Sequence, residues 1–327
     1  MTSILFLIQG YEMPSSRVRV LNLVGELEKY KIQPVVKKYP SSVADKIRTF
    51  VSSRRYDAVF IQKKLLSPLD VICFKSLARH LIYDFDDAVY LRPDVVQNID
   101  SWSSMWKFSY LVRNADMIIA GNEVLASKSR IYNPNVAVIP SSVETRGIPV
   151  RKHCKTNVTV IGWVGGSINL HHLALLTPVF QSLAAENNIQ VRILCDKSID
   201  IPGVDVLHIP WRLDTQEKEI ARFDIGVMPL PKTRHAEGKC GYKALQYMAA
   251  AVPAIVSDVG VNRDIVKHDR TGFVASEVDQ FHRFLVCLVN DVAKRERMGL
   301  EARKVVKDRF SVSFIGRQLA DLICLLH

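Results

Sequence analysis

Short apolar runs alternate with helix-spaced segments along the whole chain. In the first half, Ser3–Gln9, Gln33–Lys37, Ala58–Gln62, Leu81–Asp84, Met117–Ala120 and Val136–Ile139 read as strands. They are too short for helices and are flanked by turn residues. Between them, apolar positions recur at helical spacing. Val18, Leu21, Val24 and Leu27 predict a helix over Arg17–Tyr30, and Val43–Ser53, Leu69–His80, Ser101–Arg113 and Glu123–Tyr132 continue the series. Asn122 stands where it caps the last of these. Trp102 and Trp106 share a helical face and are expected in the core or at the lip of a site.

The second half repeats the rhythm. Strands are predicted at Val158–Val164, Gln190–Cys195, Val204–Ile209, Asp224–Met228, Ala254–Ser257 and Gly272–Ala275. Helices are predicted at Leu170–Glu186, Asp214–Arg222, Val278–Asn290 and Arg295–Asp308. Pro178 should kink or divide the first of these, and Asn262 is placed to cap a short helix. The alternation predicts an α/β fold of two doubly wound domains facing across a cleft. They span 1–150 and 151–310, with the polar, basic stretch 140–157 as linker. The amphipathic segment 311–327 is expected to pack back, as a helix, on the first half.

One stretch gathers unusual chemistry: EGKCGYKALQYMAAAVPAIVS, Glu237 to Ser257. It reads as loop, helix, turn and buried strand, with Gly238 and Gly241 bracketing the helix start. Lys239 and Lys243 lie four apart, which predicts a shared face in or just before the first turn. Like charges so placed repel by about 0.2–0.5 kcal/mol, and the helix dipole there favours anions by about 0.3–1 kcal/mol. A bound phosphate reverses both signs; a solvated basic face is the plain alternative.

Other loops follow strands, where ligands of doubly wound sheets bind. Gly10 to Arg17, with Ser15 and Ser16, follows the first strand without a G-x-G-x-x-G fingerprint. Gly165-Gly166-Ser167 follows the first strand of the second half, where glycines let backbone approach a ligand. Asp258-Val259-Gly260 follows another. DFDDAVY places Asp84, Asp86 and Asp87 after a strand. It admits three readings: the D-x-D of metal-dependent sugar transferases, aspartates capping the next segment, and an acceptor site.

Composition narrows the classes. The chain has 327 residues, 48% hydrophobic and 24% charged, enough for two ordinary cores. Six scattered cysteines form no Cys-x-x-Cys pair, which predicts reduced thiols in a cytoplasmic protein. No apolar run approaches the roughly 20 residues of a membrane span, and Ser3–Ile8 is too short for a signal peptide. The net charge of +11 calls for an anionic partner: nucleotide phosphates, a membrane surface or nucleic acid. Without zinc-finger spacing or an RNA-binding aromatic signature, nucleic acid is the weakest of the three. Arg54-Arg55 and Lys63-Lys64 beside Leu65–Leu66 suit an anionic membrane, hence a peripheral location on its inner face.

Four stretches in order carry a family likeness: IGWVGGSINLHHL (161–173), FDIGVMPLP (223–231), GKCGYKALQYMAAAVPAIVSDVGVN (238–262) and RTGFVA (270–275). Through them the second half resembles the retaining GT-B glycosyltransferases of the family 4-like group (glycosyl transferases group 1). The first half is similar more loosely, through SSRVRVL (15–21), DFDDAVY and AGNEVLA (120–126). The resemblance implies two Rossmann-like domains, with a nucleotide-diphosphate sugar on the C-terminal one and a glycan or lipid-linked acceptor on the other. It implies retention, no metal and no cofactor.

Carried over position by position, the family's two glutamates fall on Gly238 and Gln246. Gln246 can still hydrogen-bond ribose hydroxyls; Gly238 cannot replace a carboxylate, and Glu237 is one position off. The Arg and Lys that grip the diphosphate are missing from Gly165–Ser167. The resemblance therefore implies Lys239 and Lys243 as replacements, with Arg212 and His235 as runners-up. Trp211 would lie against the base, Gly241 and Gly260 near the donor, and Asp86 or Asp87 would serve as base. Gly10, Ser15, Ser16, Arg17 and Asp84 would orient the acceptor. The missing glutamates keep open a degenerate member acting as a scaffold. A nucleotide-sugar epimerase of the same fold and a metal-dependent transferase are further alternatives.

Overall fold

The computed structural model describes residues 1–96 and 99–326. It divides into two compact units. The first comprises Met1–Ser142, Glu237–Cys240 and the segment from Phe310 onward; the second comprises Val143–Ala236 and Gly241–Arg309.

In chain order the first unit holds β1 (Thr2–Ile8), α1 (Pro14–Arg19), α2 (Val24–Lys29), β2 (Ile32–Lys38), α3 (Val43–Ser53), β3 (Ala58–Gln62), α4 (Pro68–Leu77) and β4 (Leu81–Phe85). It continues with α5 (Trp102–Asn114), β5 (Met117–Ala120), α6 (Glu123–Arg130) and β6 (Val136–Val138). The six strands form one parallel sheet in the order β2-β1-β3-β4-β5-β6. Both faces of such a sheet are covered, so its central strands are apolar throughout. Leu5, Leu7, Val59 and Ile61 point to one core with Phe50, Phe74 and Phe108 of α3–α5. Their alternates Ile4, Phe6, Ile8 and Phe60 point to the other, with Leu23 and Leu27.

The second unit holds β7 (Thr159–Val164), α7 (Leu170–Ala174), α8 (Thr177–Glu186), β8 (Ile189–Cys195), β9 (Val206–Pro210), α9 (Gln216–Ile220), β10 (Ile225–Met228) and α10 (Arg234–Glu237), the last residue of which falls in the first unit. Then come α11 (Tyr242–Ala249), β11 (Ala254–Ser257), α12 (Asn262–Ile265), β12 (Gly272–Ala275), α13 (Val278–Asn290) and α14 (Val292–Arg309). Its parallel sheet runs β12-β11-β10-β7-β8-β9. The order reverses between β7 and β10, the switch point where such sheets bind ligands beyond their carboxyl ends. The last helix, α15 (Val312–Cys324), belongs to the first unit: Val312, Ile315, Leu319 and Ile323 fill the core beside Leu23 and Leu27. It packs back on the N-terminal unit, as its amphipathic pattern predicts.

Several local expectations change. The helix predicted over Arg17–Tyr30 is broken by a short 3-10 turn at Leu21–Leu23. Pro14 occupies its first turn, so Ser15, Ser16 and Arg17 lie on helix and not in a loop. Pro178 divides its helix in two and sits in the first turn of α8. Asn262 is the first residue of α12, with Val261 as cap, and its amide donates to Ser257 O at 2.9 Å. Trp102 and Trp106 are not in the core; they are 88% and 50% exposed. All six cysteines are free.

In the second unit, Asp224 sits with its side chain fully buried. Burial alone would raise its pKa. Contacts with His153, the Val160 N–H and Arg151 overcome that and hold it at about 2. A folded value below the unfolded one gives stability that is complete above about pH 4 and lost as pH falls through about 2. The amount is about 2 kcal/mol. Asp224→Asn is expected to flatten the acid limb of the stability curve between those limits, read from urea midpoints; an unchanged slope would contradict the assignment.

Candidate active site

Two groups of loops carry the candidate chemistry, one in each unit. In the first, the carboxyl end of β4 delivers Asp84, Asp86 and Asp87. Asp84 is 1% exposed and receives the buried Arg19 guanidinium, whose Nε lies 3.2 Å from both carboxylate oxygens. Arg19 Nη1 donates to Ile139 O at 2.6 Å. Burial by itself lowers the Arg19 pKa, but the charge and hydrogen bonds of Asp84, with the charge of Asp86, together outweigh it and hold the guanidinium above its ordinary value. Asp84 is therefore a core ion pair and not a residue that meets an acceptor.

Asp86 and Asp87 behave differently. Lys63, just past β3, places Nζ 3.2 Å from Asp86 and 3.4 Å from Asp87. Burial lowers the Lys63 pKa less than the two carboxylates raise it, so its ammonium stays charged at any working pH. Lys63 is thus an internal counter-ion, not part of a basic surface as its pairing with Lys64 suggests. The adjacency of β3 and β4, which brings it to the aspartates, is not visible in the sequence.

Residues 237–240 complete this group. Asn122 caps α6 by accepting from Leu125 N at 2.9 Å, as expected. Its amide also donates to Gly238 O at 3.0 Å. Cys240 Sγ donates to Asp86 O at 3.1 Å, and burial pushes that thiol's pKa up. Gly238 is buried, and a Cβ there would come within 2.8 Å of Ala88 Cβ and 3.1 Å of Ala88 N. Overpacking of this kind costs about 1–3 kcal/mol. Gly238→Ala is expected to lower stability by that amount in chemical denaturation, and Gly238→Glu by at least as much. A wild-type midpoint in both would mean that the loop is not held against Ala88.

Nearby, Glu237 is exposed. Ser16 is buried and donates to Gln62 Oε1 at 2.9 Å, so its hydroxyl serves the fold. Gly10, Ser15 and Arg17 are half-buried at the same end of the sheet.

In the second unit, α11 begins at the later of the two glycines that bracket its predicted start. Gly241 is the cap, in left-handed geometry at φ 65°, and Tyr242 is the first helical residue. A side chain at 241 would meet Ile265 Cδ1 at 2.3 Å. Lys243 therefore lies in the first turn of α11. Lys239 lies before the helix, in the segment that belongs to the other unit. The two lysines do not share a helix face, and the repulsion argument fails. What survives is the helix start: it has no side-chain cap, so its first N–H groups point outward with the positive dipole end.

Lys243 lies against the loop after β7. Its Nζ is 5.7 Å from the centre of the buried Trp163 ring, and a Cβ at Gly165 would sit 2.9 Å from Lys243 Cε. Gly165 has no side chain because the Lys243 stem and Trp163 fill the space. Gly166 is exposed. Ser167 donates from N and Oγ to Asp196 at 2.6 and 2.7 Å. Those hydrogen bonds depress Asp196 to about 2 and commit Ser167 to the protein.

Further along the same sheet, Trp211 Nε1 donates to Gln216 Oε1 at 3.2 Å, and Gln246 Nε2 donates to the same oxygen at 3.3 Å. Gln216, on α9, was not singled out by its sequence context. It ties the end of β9 to α11. Arg212 is engaged by Asp214 at 2.9 Å, which reduces its worth as a phosphate ligand. His235 is buried on the single turn α10. Gly260, at φ 56°, makes the turn between β11 and α12.

These two loop groups stand on a scaffold with known relatives in shape. Residues 156–291 match the family profile described as Glycosyl transferases group 1. No curated protein matches the chain by sequence. Among solved structures, Anabaena HepE in complex with UDP and glucose is similar at 14% identity and a TM-score of 0.73, over 99% of this chain and 100% of that one. Sucrose-phosphate synthase from Thermosynechococcus elongatus is similar at 12% and 0.75, over 100% and 99%. The lipopolysaccharide outer core galactosyltransferase WaaB, apo form, is similar at 13% and 0.69, over 99% of each chain. The chain thus has the GT-B fold, and its residues 156–291 are similar to the group 1 glycosyltransferase domain.

Proposed function

We propose that the protein transfers a sugar from a nucleoside-diphosphate sugar to the hydroxyl of a glycan or lipid-linked acceptor, with retention and without a required metal. The observation that carries this reading is the uncapped start of α11 with Lys243 beside Gly165, inside the stretch that matches the family. Backbone N–H groups, the helix dipole and an ammonium converge there, the arrangement that stabilises a leaving diphosphate. HepE, of the same fold, was solved with UDP and glucose, which supports a uridine diphosphate donor.

In this reading the second unit binds the donor. Lys243 and the first turn of α11 hold the diphosphate, Gln246 meets the ribose, and Trp211 lies against the base. His235 assists at the diphosphate; Lys239 lies in the other unit and has no part in donor binding. The first unit binds the acceptor, with Asp86 or Asp87 orienting its hydroxyl. Lys63 Nζ lies within 3.4 Å of both carboxylates, and a carboxylate within reach of a hydroxyl can accept its proton. Gly238 leaves the first family carboxylate unreplaced. Glycosyl transfer is favoured over a scaffold role because the uncapped start of α11 and Lys243 are retained, although the Arg and Lys of the loop after β7 are not.

The test is turnover with a panel of nucleotide sugars, followed by release of nucleoside diphosphate and the anomeric configuration of the product. Release of one nucleoside diphosphate, undiminished by EDTA and with the donor's configuration kept, is expected. Loss of turnover in EDTA would favour the metal-dependent reading of Asp84-Phe85-Asp86, and an inverted product would remove retention.

A further inference from the structure

The first unit carries an outward helix layer whose surface is wrong for water. Helices α3, α4 and α5 pack side by side over one face of the sheet. Their inward positions fill the core; their outward positions should then be polar. On α3 they are instead Val43, Ile47 and Val51, four residues apart and all exposed. On α4 they are Leu69 and Ile72, and on α5 Trp102 and Trp106. Single exposed apolar residues are ordinary. Here every one of three neighbouring helices presents a pair or a stripe at its own helical spacing, which marks an interaction surface.

Charge selects the partner. The segments 43–55, 68–79 and 102–114 hold eight Lys or Arg and two Asp. Asp70 is taken by Lys46 and Asp45 by Arg48. Lys75 and Arg79 face Asp116 and Asp57. Arg54 and Arg55, exposed past the end of α3, and Lys107 on α5 have no acidic partner among the described residues. Arg113 lies over the Tyr132 ring at 5.1 Å. The apolar residues run along α3 and stand in the first two turns of α4 and α5, with Arg54 and Arg55 just past the end of α3. A protein partner with an apolar patch would not need the arginines, and an acidic protein would not need two exposed tryptophans. An anionic bilayer needs both: apolar side chains for the acyl boundary, tryptophan for the interface and arginine for the headgroups.

We infer that the outer surface of α3, α4 and α5 is a peripheral binding face for an anionic lipid bilayer. Among the described residues no helix is long and apolar enough to cross a membrane, so the contact is one of lying on the surface. The inference stands on this surface and not on sugar transfer, and either can fail without the other.

The test is co-sedimentation of the full chain with phosphatidylcholine vesicles, with and without phosphatidylglycerol, at low and high salt, together with tryptophan emission. Binding is expected only with phosphatidylglycerol, weakened by salt, with a blue shift from Trp102 and Trp106. Arg54→Ser with Arg55→Ser should weaken it about 25-fold, at about fivefold per basic residue. Trp102→Ser with Trp106→Ser should weaken it at least about tenfold and abolish the blue shift. These side chains are exposed, so the melting temperature should not move. Absence of binding to anionic vesicles at low salt would overturn the inference, as would full binding by both variants. A dimer in sedimentation velocity that the tryptophan variant loses would assign the face to a second copy instead.

Discussion

Lys243→Ala is expected to lower kcat about 100- to 1000-fold, the usual cost of removing one group aimed at transition-state charge. Lys243 stands in the first turn of a helix whose N–H groups have no side-chain cap. Its stem lies against Gly165 and Trp163, so the ammonium is held at the mouth of the loop after β7. The charge that develops on a leaving diphosphate is greatest in the transition state, so the loss should fall on kcat more than on KM. Stability should change little, because the side chain is only half-buried. Activity within about threefold of wild type would remove Lys243 from the mechanism, since effects that small lie far below those of such groups.

Arg19→Met is expected to destabilise the protein by about 3–5 kcal/mol, because it leaves the Asp84 carboxylate buried without its counter-ion. Arg19→Met combined with Asp84→Leu should recover most of that loss, since an apolar pair of similar volume often replaces a buried ion pair without penalty. Chemical denaturation of both variants checks the pair. A single variant that loses less than about 1 kcal/mol would mean that Asp84 is solvated in the native state, and would return it to the list of acceptor-facing residues.

These two expectations also show where the sequence speaks and where it is silent. Buried parallel strands are unbroken apolar runs, so Ala254–Ser257 and Gly272–Ala275 fall as predicted. The amphipathic stripe of α15 carries enough pattern to place it against the first unit. Asn122 as a cap is legible because capping is local; its second bond, to Gly238, joins residues 116 apart in sequence and is not. The same limit hides the Lys63 clamp on Asp86 and Asp87, and the Arg19–Asp84 pair inside the D-x-D. The start of α11 falls inside the bracket Gly238–Gly241, but the sequence does not say which glycine is the boundary, because either fits one. Only the backbone decides: the left-handed residue is Gly241, while Gly238 is required by contact with Ala88. Trp102 and Trp106 follow helical spacing correctly, but spacing does not say which face is covered.

On the proposed reading, the second unit binds a nucleoside diphosphate at the start of α11. Thermal unfolding with UDP, GDP and ADP, on wild type and Lys243→Ala, tests it most directly. A ligand at 100 times its dissociation constant stabilises by about 2.7 kcal/mol, a shift of a few degrees. One nucleotide should raise the wild-type melting temperature by that much, and the variant should lose most of the shift. No shift with any of the three, or a shift the variant keeps in full, would contradict the account.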